Sequence, residues 1–190
     1  MPVSSRSPTK EYQRRVFDKL ERLFGEGNVE KEWDVGKGSQ DSLTRELYCP
    51  RIDLAVGPFN TNRHLIEQSR EEIERAVSRH RQILQRLFSH SEERTGSIEE
   101  FLEARNRNPR CFIAIEIEYS GTRKHMLGDI ANASIMGAIG IVVPLTDEKM
   151  QGFKKMKKYV EFAMTVGKLR PSFRNVLIVS KDRFLEVLSA

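Results

Sequence analysis

The sequence predicts an α/β fold: a mixed β-sheet flanked by helices on both sides, with a helical hairpin inserted into it. Three observations predict it. Residues 51–56 and 110–120 alternate with a period of two, as strands with one buried face do. The run Ala138-Ile-Gly-Ile-Val-Val-Pro144 is apolar throughout, as a strand buried on both faces is. Segments with helical spacing lie between and around these, giving the order α β β (αα) β α β α β α.

Each element has its own local reason. Residues 1–6 read as disordered. Ser7 followed by Pro8 is a helix start, with the cap residue before proline at the first helical position. Tyr12, Val16, Leu20 and Leu23 then form one stripe, and Gly25 ends the helix. Residues 29–35 set Val29, Lys31, Trp33 and Val35 against Glu30, Glu32 and Asp34, which predicts a strand with an acidic face and Trp33 in the core. Residues 36–42 are a polar turn or loop. The strand at 51–56 ends at Gly57-Pro58.

Residues 62–94 carry one long helical pattern. Ile66, Ile73, Val77, Leu84 and Leu87 recur near a 3.5-residue spacing, with His80 in the stripe as a packing residue. A helix of about 30 residues would be about 45 Å long. That length predicts a protruding arm or a surface for a partner. Ser97-Ile-Glu-Glu100 is a capping box that opens a short helix before Pro109. Residues 62–108 thus form the inserted hairpin. Ser120-Gly121 is a turn. A helix over 124–136 follows, whose small residues Gly128, Ala131, Ala133 and Ser134 let it lie close to the sheet. Residues 147–166 form a lysine-bearing helix, 176–180 a buried strand and 181–188 a closing helix.

Composition bounds the function. The 190 residues suffice for one domain with a core, and 38% hydrophobic with 31% charged residues is ordinary for a globular chain. No apolar run approaches ~18 residues, so no membrane helix is expected, and the N-terminus lacks the apolar region of a signal peptide. A cytoplasmic protein is the expectation, with Cys49 and Cys111 as reduced, buried thiols. No Cys/His spacing suggests zinc. The formal net charge is +5. Residues 151–174 alone hold Lys154, Lys155, Lys157, Lys158, Lys168, Arg170 and Arg174 against one acid, Glu161. That patch is either the footprint of a polyanion binder or a solvated lysine-rich helix face.

The chemistry lies on the two alternating strands. Ile52, Leu54 and Val56 share one face, and Asp53 and Ala55 the other. Ile113, Ile115, Ile117 and Tyr119 likewise oppose Phe112, Ala114, Glu116 and Glu118. If the strands pair with their apolar faces together, Asp53, Glu116 and Glu118 converge. Three close carboxylates repel, and a cation relieves the repulsion. Magnesium, held by one or two carboxylates with water and phosphate, can activate water and stabilise a leaving oxygen in phosphodiester hydrolysis. The alternative is that the acids decorate a solvent-facing sheet, against which stand their small or apolar neighbours Ala55, Phe112 and Ala114.

On these residues the chain resembles the PD-(D/E)xK nuclease superfamily, the restriction-endonuclease-like fold, over residues 7–144. Asp53 matches the first acid of the motif and Glu116 the second. Glu118 stands where the family usually has the lysine that orients or activates the attacking water. Lys124 is a candidate to supply that positive charge from a migrated position. Glu11 matches a further acid on the first helix by its distance from Gly25. Pro50 lies three residues before Asp53, displaced from the motif, and the insertion between the two acids is longer than the usual hairpin. The resemblance implies an endonuclease dependent on Mg²⁺ (or Mn²⁺) that hydrolyses DNA, restriction enzymes being one such kind. Asp53, Glu116 and Glu118 would be the metal ligands, and Lys154, Lys155, Lys157 and Lys158 would meet phosphates. The long helix would clasp DNA or form a homodimer. The Glu118 departure leaves a second implication open: a catalytically degenerate module that keeps the fold and binds nucleic acid or a protein partner. His125, Asp129 and Asn132 fall near the same place in the chain, with capping or solvation as the competing roles.

Overall fold

The structure is a computed structural model that describes residues 8–35, 50–60, 66–94, 96–167 and 173–189. The expectations for residues 1–7, Cys49, Lys168 and Arg170, and for the loop at 36–42, lie outside the described residues. One sheet has its five strands side by side in chain order: β1 (Val29–Trp33), β2 (Ile52–Phe59), β3 (Cys111–Glu118), β4 (Gly137–Pro144) and β5 (Val176–Ile178). The first two pairings are antiparallel and the last two parallel. Parallel neighbours need crossover connections, and the helices α5 (Arg123–Met136) and α6 (Asp147–Thr165) supply them.

Those two helices cover one face of the sheet. The other face carries α1 (Pro8–Phe24), α2 (Ile66–Arg79), α3 (Arg81–Ser89), α4 (Ile98–Glu103) and α7 (Lys181–Val187). Leu54, Val56, Ile113, Ile115, Ile117, Ile139, Ile141 and Val143 meet Val16, Leu20, Val77, Leu84 and Phe184 there in the main core. Gly25 ends α1 with φ +94, a left-handed conformation that suits a residue without a side chain. The Ser97–Glu100 capping box forms at the start of α4. All of β4 is buried, as its unbroken apolar sequence requires. Gly140 lets α5 approach β4 closely: a Cβ there would stand 2.9 Å from the backbone of Ala133.

The structure corrects three expectations. The pattern at 62–94 is not one long arm. It breaks at His80 into α2 and α3, and Ile73, Val77, Leu84 and Leu87 are buried in the chain's own core. Both helices spend the same stripe on the same sheet face, so the periodicity runs on across a break that it does not reveal. A homodimer or DNA clasp built on that stripe is therefore excluded. His80 packs its ring against Phe24 and Phe112 at centroid distances of 4.7 and 5.9 Å, and burial lowers its pKa. Phe112 joins the main core, not the cluster of Ala55 and Ala114. Beside it the β2–β3 register shifts between Val56 and Phe59.

The third correction concerns the insertion, which is structural in its own right. Phe88, Ile98, Phe101 and Leu102 also enter the main core. After α3 the chain reaches the far edge of the sheet, where Glu92 N donates to Ile178 O at 2.8 Å. Ile178 N donates in turn to Ser91 Oγ at 3.3 Å. Cys111 is a free, buried thiol, its pKa raised by burial. No described helix is long and apolar enough to cross a membrane.

Candidate active site

The β2–β3 register pairs Leu54 with Ile115 and Ala55 with Ala114, which sets Asp53 directly opposite Glu116. Their interaction is reciprocal through the backbone. Asp53 Oδ2 accepts from Ile117 N at 2.7 Å, and Glu116 Oε2 accepts from Asp53 N at 3.3 Å. Both side chains lie on the face covered by α5. From that helix Asn132 Nδ2 donates to Glu116 Oε1 at 3.5 Å. Asp129, one turn earlier, brings a further carboxylate with its Oδ2 buried and the Glu118 side chain beside it.

Glu118 follows Glu116 on the strand but spends its charge locally. Its Oε1 accepts from Ser120 N at 2.6 Å and also from Gly121 N. Gly121 is required for this, because a Cβ there would overlap the Glu118 carboxylate. Lys149, in the first turn of α6, donates from Nζ to Gly121 O at 2.9 Å. The same turn is thus held by an acid from one side and a lysine from the other.

Beyond β2, Glu32 of β1 comes opposite Asp53, between the pairs Lys31–Leu54 and Trp33–Ile52. Its φ is +48, a left-handed conformation rarely taken by a side-chain-bearing residue. Arg51 Nε bonds it at 2.9 Å. Gln13 of α1 donates to Glu32 Oε1 at 3.5 Å and to Asp53 O at 2.9 Å.

The electrostatics follow from burial and crowding. Burial raises Glu116, only 6% exposed, to about 9, with Asp53 and Asp129 adding like charge. Burial raises Asp53 to about 6, helped by Glu32 and Glu118 and opposed by the Ile117 amide. Burial raises Asp129 to about 7, and Glu118 and Asp53 push the same way. All three shifts have the sign that burial and neighbouring carboxylates impose.

In kind, this donor set fits a hard divalent cation, which takes carboxylate and amide oxygens. The like charge crowded among Asp53, Glu116, Glu118 and Asp129 is what such an ion would relieve. Among the described residues, however, no three His, Cys, Asp or Glu side chains converge as a ready-made ligand group. Asp53 Oδ2, Glu116 Oε2 and Glu118 Oε1 each point at backbone amides instead. A magnesium ion often uses only one or two protein carboxylates, so the Asp53–Glu116 pair meets the requirement.

The structure brings Asp53, Glu116 and Glu118 to one end of the sheet, as the strand faces predict. It does not place Glu11 with them. Glu11 is exposed and lines a separate surface hollow with Tyr12, Tyr119 and Lys181. The α1 residue that reaches Asp53 is Gln13, detectable in the sequence as a polar residue three before Val16 on the apolar stripe. Lys124 is exposed at the start of α5, and the lysine that reaches the turn after β3 is Lys149, distant in sequence. His125 Nδ1 accepts from Thr122 N at 3.2 Å as part of the α5 cap.

The α6 lysines divide. Lys157 is buried at 8% exposure, its Nζ donating to Glu93 O and Val176 O at 3.3 Å each, which removes it from any surface phosphate contact. Lys154 pairs with Glu92 at 3.0 Å and Lys158 with Glu93 at 3.3 Å. Lys155 is exposed. No family model, curated protein or solved structure matches the chain, so the chemistry of the site has to carry the functional reading.

Proposed function

We propose that this chain is a divalent-metal-dependent nuclease of the PD-(D/E)xK type that hydrolyses phosphodiester bonds in DNA. The observation that carries the proposal is the Asp53–Glu116 pair, directly opposed on adjacent strands and roofed by Asp129 and Asn132. Its support is the order of elements, with one helix before three antiparallel strands and a crossover helix leading to a parallel fourth. In this reading Asp53 and Glu116 hold Mg²⁺ or Mn²⁺, with Asp129 within reach of the same ion. When bound, the ion neutralises charge on the phosphate and lowers the pKa of a water. Asn132 orients Glu116 through Oε1. Glu118, fixed by the Ser120 and Gly121 amides, occupies the water-facing position after the second acid. Lys149 supplies positive charge beside it.

Plasmid cleavage in Mg²⁺ and in Mn²⁺ tests the proposal, beside Asp53→Ala and Glu118→Lys. Metal-dependent nicking or linearisation is expected, with a loss of at least about 100-fold in Asp53→Ala, the scale of removing one electrostatic stabiliser of a transition state. Equal cleavage by wild type and Asp53→Ala would refute it.

A second reading is favoured by one observation: the residue at the usual lysine position is an acid bound to its own turn. A degenerate module that binds nucleic acid or a protein without cutting is that reading. A rise in melting temperature on adding Mn²⁺, abolished in Asp53→Ala, supports the catalytic reading. Absence of both cleavage and metal stabilisation supports the degenerate one.

A further inference from the structure

Helix α6 is amphipathic in an unusual sense. Met150, Phe153, Val160 and Ala163 are buried, and with Lys157 they fix the helix on the sheet. Its opposite face is also apolar: Tyr159 and Phe162 are each 60% exposed and Val166 is 49% exposed. The spacings of three and four residues put them on one stripe. One turn earlier on that stripe stands the exposed Lys155, and Lys158 flanks it, with 66% of its side chain exposed. Two bare aromatic rings cost solvation, and the helix is already anchored without them.

We propose that the Lys155–Tyr159–Phe162 face of α6 is a binding track for single-stranded nucleic acid. This rests on the nuclease reading and adds to the duplex met at the acids a single-stranded flank held along α6. The argument for this occupant is complementarity of two kinds. Every base has a face that stacks on an aromatic ring whatever the sequence, and the backbone between bases carries the charge that lysines meet. A duplex keeps its bases stacked inside and cannot use the rings. Beside the rings the exposed lysines are Lys155 and Lys158, and their positive charge suits a polyanion. The track is also joined to the acids. Lys149, at the start of α6, holds the turn that fixes Glu118. Tyr159 and Phe162 follow ten and thirteen residues further along, about 15–20 Å at 1.5 Å per residue. One rigid helix therefore leads from the acidic cluster to the stacking face.

The experiment is fluorescence anisotropy with a labelled oligonucleotide, single-stranded and as a duplex, in EDTA so that nothing is cut. The proteins are wild type, Tyr159→Ala/Phe162→Ala and Lys155→Ala. Tighter binding of the single strand is expected, weakened about tenfold or more in the double variant, since stacking on an aromatic ring contributes ~1–3 kcal/mol per base. Duplex affinity should not change. Lys155→Ala should lower the slope of log K against log salt by about 0.7. All three side chains are exposed, and an unchanged melting temperature verifies folding. Unaltered single-strand affinity in the double variant overturns the track. So does a wild-type dimer in sedimentation that the double variant abolishes, which would assign the face to a second copy. Wild-type cleavage of single-stranded DNA without dependence on Tyr159 and Phe162 sinks this inference alone; neither cleavage nor binding of any nucleic acid sinks the nuclease reading with it.

Discussion

The two faces of the central sheet are built on opposite rules. Toward α1, α2, α3 and α7, strands β2 to β4 present only apolar side chains, aliphatic from Leu54 to Val143 with Phe112 among them. Toward α5 and α6 the same strands present Asp53 and Glu116 beside Ala55 and Ala114, and Lys157 is buried farther along that layer. The first face gains stability from area removed from water. The second gives some of that up, since buried charges cost free energy unless paired. The contrast separates a face that is apolar throughout from one that buries carboxylates beside its apolar core.

Truncation on the aliphatic face should have the largest effect. Ile115→Ala removes a fully buried side chain from the middle of the sheet and should cost about 2–5 kcal/mol. Urea unfolding measures this; a loss under 1 kcal/mol would mean that this face is less tightly packed than described.

On the acidic face the effect should depend on pH. Asp53 at about 6, Asp129 at about 7 and Glu116 at about 9 all lie above the ordinary carboxylate range near 4. The unfolded chain releases these protons first, so raising the pH favours unfolding. Their contribution to stability is whole below about pH 4 and is lost as pH rises through 9. The metal-free melting temperature should fall across that range, by about 2–4 °C for each kcal/mol lost. Glu116→Gln should flatten the upper part of the fall. A melting profile identical in wild type and Glu116→Gln would show that the acids are not coupled to folding.

The smallest effects distinguish two neighbouring lysines. Lys157→Ala leaves the Glu93 and Val176 carbonyls without their donor and should cost about 1–3 kcal/mol. Lys158→Ala removes only an exposed ion pair and should change stability by less than about 0.5 kcal/mol. Equal costs by chemical denaturation would contradict the burial that separates them.

Much of this was legible in the sequence because short-range patterns decide it. Periods of two and of about 3.6 locate β2, β3 and α1, and matching the apolar faces of β2 and β3 is enough to oppose Asp53 and Glu116. The misses share one cause, contact between residues far apart in the chain. Lys157 reads as a surface residue until the turn at Glu92–Glu93 folds over it. Lys149 reads as one more helix lysine until β4 carries it to Gly121. The break at His80 is hidden because α2 and α3 bury the same stripe. Gln13 was within reach, as a polar residue on an apolar stripe.

The turn after α3 has one more consequence. A three-residue strand at the end of a sheet offers unpaired carbonyls and amides to any passing extended chain. Here Glu92 takes the carbonyl of Ile178, Ser91 takes its amide, and Lys157 takes the carbonyl of Val176. The insertion between the two acidic strands therefore works as a stopper: on this side the sheet cannot lengthen by recruiting a neighbour.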